Sequence, residues 1–174
     1  MLVSNDESRR SMGFCLTEIS HEAIGESSGY EGHACGGSSR MSLVRILVVD
    51  DFKQWRDFVR VCIEKRPDIH ILAFASDGLE AVQKARDLEP DVVLMDIGLP
   101  ELNGIQAAER IRQLVSKTKI LFLTGQADPE IVRDAFRAGG DGYILKWDAS
   151  EELVVGMETV LLGKRFTSRS IAEI

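Results

Sequence analysis

Asp50, Asp51, Asp96, Thr124 and Lys146 each stand where a run of apolar residues ends. Asp96 follows Val92-Val93-Leu94-Met95, and the chain then breaks at Gly98 and Pro100. Asp50 and Asp51 follow Ile46-Leu47-Val48-Val49, Thr124 follows Ile120-Leu121-Phe122-Leu123, and Lys146 follows Tyr143-Ile144-Leu145. Three carboxylates brought together repel one another, and each resists ionising unless a cation sits among them. Oxygen ligands with room for water suit Mg²⁺, which prefers octahedral oxygen coordination. The backbone carbonyl of Gly98 is a candidate further ligand. Asp96 is then placed to act as a nucleophile towards a phosphoryl group, giving an aspartyl phosphate. The Lys146 ammonium would offset charge on the phosphoryl oxygens, and the Thr124 hydroxyl would donate to another of them. Taken singly, each residue has a plainer explanation, since a strand-end Asp commonly caps a turn. Their convergence is what sets them apart from isolated caps.

Convergence depends on the elements that carry them. The apolar runs predict strands over Val44–Val49, Ile69–Ala75, Val92–Met95, Lys119–Thr124 and Gly142–Lys146. Between and after them, helical spacing predicts helices over Phe52–Lys65, Leu79–Leu88, Gly104–Val115, Pro129–Ala138 and Ser150–Leu162. Glu89-Pro90 stops one helix, and Gly139-Gly140 suits a left-handed cap on another. Five strand–helix units in strict alternation imply an α/β fold, a doubly wound five-stranded parallel sheet with five helices and right-handed crossovers. The expected strand order is flavodoxin-like, 2-1-3-4-5, with ligands in the crevice beyond the carboxyl ends of the strands. All five residues then face one pocket. The first strand–helix turn carries no dinucleotide fingerprint and no phosphate-binding Walker loop, only the aspartate pair.

Composition narrows the setting. The 174 residues are 44% hydrophobic, enough for a sizeable core, and the net charge of -7 argues against a nucleic-acid surface. No apolar run approaches the roughly 18 residues of a bilayer span, so no membrane partner is expected. Three cysteines without a secretory signal fit a reducing, cytoplasmic setting. Residues 1–40 are rich in Ser, Gly and Glu and are expected to form a disordered extension, with one weak helix over Met12–Ala23. Cys15, His21, His33 and Cys35 match no compact zinc spacing. Met41 stands immediately before the first strand and is an alternative start. Residues 164–174 read as a short tail after a domain spanning 41–163. That tail leaves no room for a helix-turn-helix, and its three basic residues, Lys164, Arg165 and Arg169, are not interleaved with a recognition helix, so DNA binding is not expected.

From Val44 to Leu162 the chain resembles the receiver domain of two-component response regulators. The resemblance is carried by Val48-Val49-Asp50-Asp51, by Leu94-Met95-Asp96-Ile97-Gly98-Leu99-Pro100 with Gly104 beyond it, by Leu121-Phe122-Leu123-Thr124-Gly125, and by Gly142-Tyr143-Ile144-Leu145-Lys146. It implies that Asp50 and Asp51 bind magnesium together with Asp96 and Gly98. It implies also that Asp96 is phosphorylated by a sensor histidine kinase or a histidine phosphotransfer protein, and that Thr124, Asp96 and Lys146 carry the catalysis. Thr124 and Tyr143 correspond to the switch pair: Thr124 is drawn towards the phosphoryl group, and Tyr143 turns from an exposed to a buried position. Gly98 and Gln126 fall at the positions that tune phosphoryl lifetime.

The expected output is a stand-alone receiver contacting a downstream protein through its fourth helix, fifth strand and fifth helix, the face through which a homodimer is also possible. Such a protein is a signalling switch that catalyses only its own phosphorylation and dephosphorylation. Two alternatives stay open. A receiver fold could serve as a phosphorylation-independent docking module. A magnesium-dependent phosphatase of the haloacid-dehalogenase kind is the other, although Gly98 stands where such an enzyme carries a second Asp.

Overall fold

The computed structural model describes residues 43–172, which lie in the unit spanning Ser39–Ile174. The expectations for residues 1–40, including Cys15, His21, His33 and Cys35, lie outside the described residues. In chain order the elements are β1 (Val44–Val49), α1 (Lys53–Ile63), β2 (Ile69–Ala75), α2 (Gly78–Leu88), β3 (Val92–Met95) and α3 (Gly104–Leu114). They continue as β4 (Lys119–Thr124), α4 (Pro129–Arg137), β5 (Gly142–Leu145), α5 (Ala149–Leu161), β6 (Phe166–Thr167) and α6 (Arg169–Ala172). The sheet is parallel throughout, in the order β2-β1-β3-β4-β5-β6. The flavodoxin-like order of the first five strands is thus found, but among the described residues the count of five strands and five helices is corrected to six of each. The sixth strand and helix come from the segment read as a tail.

Strands covered on both faces read as continuous apolar runs, and their residues alternate between two cores. Leu47, Val49, Val93, Met95, Phe122 and Tyr143 face the side packed by α2, α3 and α4. Ile46, Val48, Leu94, Leu121, Leu123 and Ile144 face the side packed by α1 and α5. Helix starts are fixed by side-chain oxygens: Asp77 accepts from the Glu80 amide, Asn103 from that of Gln106, and Asp128 from that of Glu130. Gly139, at φ +97°, supplies the left-handed residue after α4.

Register brings the strand ends level. Val49 pairs with Met95, Met95 with Phe122, and Thr124 with Leu145. The next residues along β1, β3 and β5 are Asp50, Asp96 and Lys146. Gly104 opens α3 directly over this corner, where a Cβ would stand 1.9 Å from the Asp96 carbonyl oxygen. Only glycine allows that approach.

β6 is held by more than its two residues. The Ser168 amide donates to the Tyr143 carbonyl at 2.8 Å, and the Leu145 amide donates to the Ser168 hydroxyl at 3.1 Å. That hydroxyl donates in turn to Glu152 of α5 at 2.7 Å, and Ser168 is fully buried. A side chain therefore completes the ladder on the edge of β5.

Candidate phosphoryl-transfer site

Asp50 and Asp96 are both buried, 3% and 6% exposed, at the ends of adjacent strands. One Asp50 oxygen accepts from the Phe52 amide at 2.9 Å, and the other lies 2.7 Å from the Lys146 ammonium. Asp96 is held the same way. Its Oδ1 accepts from the following amide, Ile97, at 2.8 Å, and its Oδ2 accepts from Lys146 at 3.0 Å. One ammonium thus bridges two buried carboxylates. Burial pushes the Asp50 carboxyl above its ordinary range. The Lys146 ammonium and the Phe52 amide work against that rise, and the charge of Asp96 adds to it.

Asp51 completes the acidic group. Carboxylate oxygens of Asp50, Asp51 and Asp96 lie within 4.8 Å of one another. Oδ1 of Asp51 is buried and has no hydrogen-bond partner. Leaving such an atom unpaired is costly, so the position fits a bound cation. Hard oxygen donors and no soft ligand make the set suitable for Mg²⁺.

The remaining expected residues take distinct places. Thr124 is buried at the end of β4, and its carbonyl accepts from the Lys146 amide at 2.9 Å. Gly98 is exposed, and a Cβ there would stand 3.9 Å from Asp96 Oδ2 and 4.0 Å from Gln126 Nε2. Glycine at this position leaves the approach to Asp96 open. Tyr143 does not line the acidic group. It is fully buried between Phe122 and Phe136, and its hydroxyl donates to the Gln126 carbonyl at 2.8 Å. Burial raises its pKa above the ordinary phenol value, with smaller contributions from the charges of Asp96 and Asp128.

Sequence reasoning missed two neighbours of the site, both in the first turn of α1. Arg56 donates to the carbonyls of Asp50 and Asp51, at 2.6 and 3.2 Å, and so fixes the backbone of the acidic pair. Trp55 places its ring under the Lys146 ammonium, 4.9 Å from the ring centroid. The available signal was position, because the first turn after a strand-end acidic pair must lie beside that pair.

Known proteins resemble this chain in sequence and fold. Residues 46–158 match the family described as the response regulator receiver domain. The transcriptional regulatory protein LnrK of Bacillus subtilis is 33% identical over 121 residues, covering 70% of this chain and 55% of that protein. A solved LuxR-family two-component response regulator from Aurantimonas is 39% identical with a TM-score of 0.72, covering 76% of this chain and 94% of that one. RcsB of Salmonella typhimurium, solved in relation to its DNA interaction, shares the fold at 20% identity and a TM-score of 0.69, with coverage of 75% and 64%.

The chain spans just over half the length of the curated relatives it matches, from 52% to 59% for the first four. They lend no support to the stand-alone expectation. The expectation that DNA binding has no place here is overturned. Relatives 33% and 34% identical to this chain bear the name transcriptional regulatory protein. The error came from treating the residues after α5 as the whole output, whereas a receiver's own acidic surface says nothing about what it regulates. Among the described residues no helix is long and apolar enough to cross a membrane. The strand order, the level strand ends with their acidic group and bridging lysine, and the family match agree: this chain belongs to the receiver-domain family of two-component response regulators, signalling proteins that accept a phosphoryl group on an aspartate.

Proposed function

We propose that Asp96 is the phosphoacceptor and that the phosphoryl group comes from the phosphohistidine of a sensor histidine kinase or phosphotransfer protein. The observation that carries this reading is the Lys146 ammonium bridging Asp50 and Asp96, beside an Asp51 oxygen that lacks a partner. Asp50, Asp51, Asp96 and the Gly98 carbonyl would hold Mg²⁺. Bound there, the ion supplies positive charge that lets three carboxylates stay ionised and draws charge from phosphoryl oxygens.

This chain's residues do the rest. The Ile97 amide and Lys146 fix both Asp96 oxygens, which orients the carboxylate for in-line attack. As the Asp96 oxygen–phosphorus bond forms, the phosphorus–nitrogen bond of phosphohistidine breaks, and its electron pair returns to the imidazole. Lys146 offsets charge on one phosphoryl oxygen, and the Thr124 hydroxyl donates to another. Exposed Gly98 leaves room for the incoming histidine.

The switch reading follows from Tyr143. Its ring is already buried and tied to the Gln126 carbonyl, not in the exposed position expected before phosphorylation. Movement of Thr124 towards a phosphoryl group would therefore act on this packed ring and through it on the surface of α4, β5 and α5. That surface is the contact for a downstream partner or a second copy. The receiver expected over 41–163 would then extend through β6, which is the sixth strand of the same sheet.

The test is phosphoryl incorporation from a small phosphoryl donor, with and without Mg²⁺, in wild type and Asp96→Ala. Labelling that needs both Mg²⁺ and Asp96 supports the proposal. Partner binding indifferent to Asp96→Ala, with no labelling, would favour the docking-module reading.

A further inference from the structure

Lys146 meets three groups. Two are carboxylates, Asp50 Oδ2 at 2.7 Å and Asp96 Oδ2 at 3.0 Å. The third is the face of Trp55, 4.9 Å from its ring centroid. We propose that Trp55 is a positioning residue for phosphoryl transfer, holding the Lys146 ammonium over the acidic group. This rests on the reading of Asp96 and Lys146 as transfer groups.

The ring is itself well fixed. Trp55 lies in the first turn of α1, where its amide donates to the Phe52 carbonyl at 3.1 Å. The next residue, Arg56, ties the same turn to the carbonyls of Asp50 and Asp51. Phe58 meets the ring edge to face, at 5.2 Å between centroids and 75° between planes. Backbone and ring are thereby anchored to the acidic pair.

Lysine carries its charge on a flexible four-carbon stem with three rotatable donors. An indole face attracts an ammonium through the ring quadrupole, without accepting a hydrogen bond in a fixed direction. The contact therefore restrains where the ammonium sits and leaves it free to turn. It can pass from the Asp50 carboxylate towards an arriving phosphoryl oxygen while staying over the ring. A carboxylate or hydroxyl in place of the indole would compete for the same protons. An aliphatic side chain would fill space and attract nothing.

The experiment compares Trp55→Leu, which keeps an apolar though smaller side chain and loses the aromatic face, with Trp55→Phe, which is also smaller but keeps a face. Both are made in the full chain and checked for folding by circular dichroism. Rates of incorporation from acetyl phosphate with Mg²⁺ are measured across donor concentration. The maximal rate of Trp55→Leu should fall about five-fold at an unchanged half-saturating donor concentration, a size within the range for a partly covered cation–π contact. Trp55→Phe should stay within about two-fold of wild type on the same grounds. Trp55→Leu at the wild-type rate, or Trp55→Phe as impaired as Trp55→Leu, overturns the proposal.

A second arm needs no donor and no metal. The chain has two tryptophans, so Trp147→Phe isolates the emission of Trp55. Lys146→Met in that background should change Trp55 emission, and unchanged emission overturns the ammonium–ring contact. Absence of label on wild type would refute the phosphoacceptor reading, and the fluorescence arm would still decide whether the ring holds the ammonium.

Discussion

Lys146→Ala should destabilise the metal-free protein in a pH-dependent way. The substitution removes the cation that bridges Asp50 and Asp96, which are 3% and 6% exposed. Breaking a buried pair by deleting one partner typically costs about 3–5 kcal/mol. Asp50 can escape part of that penalty by taking up a proton, so the lower end, about 3 kcal/mol, applies. At about 4 °C per kcal/mol for a domain of this size, the midpoint of unfolding falls by about 12 °C.

The sign with pH follows from Asp50. Its folded pKa is already raised by burial, and Lys146 is the main group holding it down. Without the ammonium it rises further, so the folded state binds the proton more tightly than the unfolded state does. Its contribution is then favourable below the raised pKa and is lost as pH climbs through it. The deficit of Lys146→Ala against wild type should therefore be largest near pH 8 and shrink towards pH 5. Added Mg²⁺ should stabilise the variant more than it stabilises wild type, because the site then has a cation again. Thermal unfolding followed by circular dichroism, in chelator and then in Mg²⁺, measures all of this. A variant as stable as wild type in chelator at pH 8, or a deficit that grows on acidification, would refute the reasoning.

Other substitutions probe the support around the site. Gly104→Ala sets a Cβ 1.9 Å from the Asp96 carbonyl oxygen, so α3 must move; a loss of about 3 kcal/mol or more in urea unfolding is expected, with slower phosphorylation. A fully tolerated alanine would contradict the close approach. Ser168→Ala leaves the Leu145 amide without its acceptor and Glu152 Oε2 without its donor, for a cost of about 1–2 kcal/mol and faster hydrogen exchange at Leu145. Tyr143→Phe removes the bond to the Gln126 carbonyl and should cost about 1 kcal/mol while leaving Asp96 phosphorylation intact. A loss of phosphorylation in Tyr143→Phe would place the tyrosine in the transfer chemistry itself.

Much of this molecule could be read from its sequence, for reasons that differ by element. The bounds of β1, β3 and β4 match the expected runs, because strands buried on both faces tolerate few polar residues before they end. Asp50, Asp51, Asp96 and Lys146 were legible for the same reason, being the first polar residues after such runs. β6 was not. Two residues carry no period, and what holds them is the Ser168 hydroxyl standing in for a backbone group. The Trp55 contact was hidden differently, since Trp55 shares the apolar spacing of Phe58, Val59 and Ile63. Val59 and Ile63 are buried in the core, whereas the Trp55 ring turns to Lys146. Spacing gives the face of a helix but not which polar group awaits at its end. Nor could charge and length report on DNA, because the chain spans just over half the length of the relatives that bear the name transcriptional regulatory protein.

The central claim is that Asp96 takes the phosphoryl group at a metal-dependent site. Its most direct test is peptide mapping by mass spectrometry after incubation with a phosphorylated histidine phosphotransfer protein, with the acyl phosphate trapped by borohydride reduction. The account predicts modification at Asp96 alone, present with Mg²⁺ and lost in chelator. Modification at Asp50 or Asp51, or labelling that persists without Mg²⁺, would contradict it.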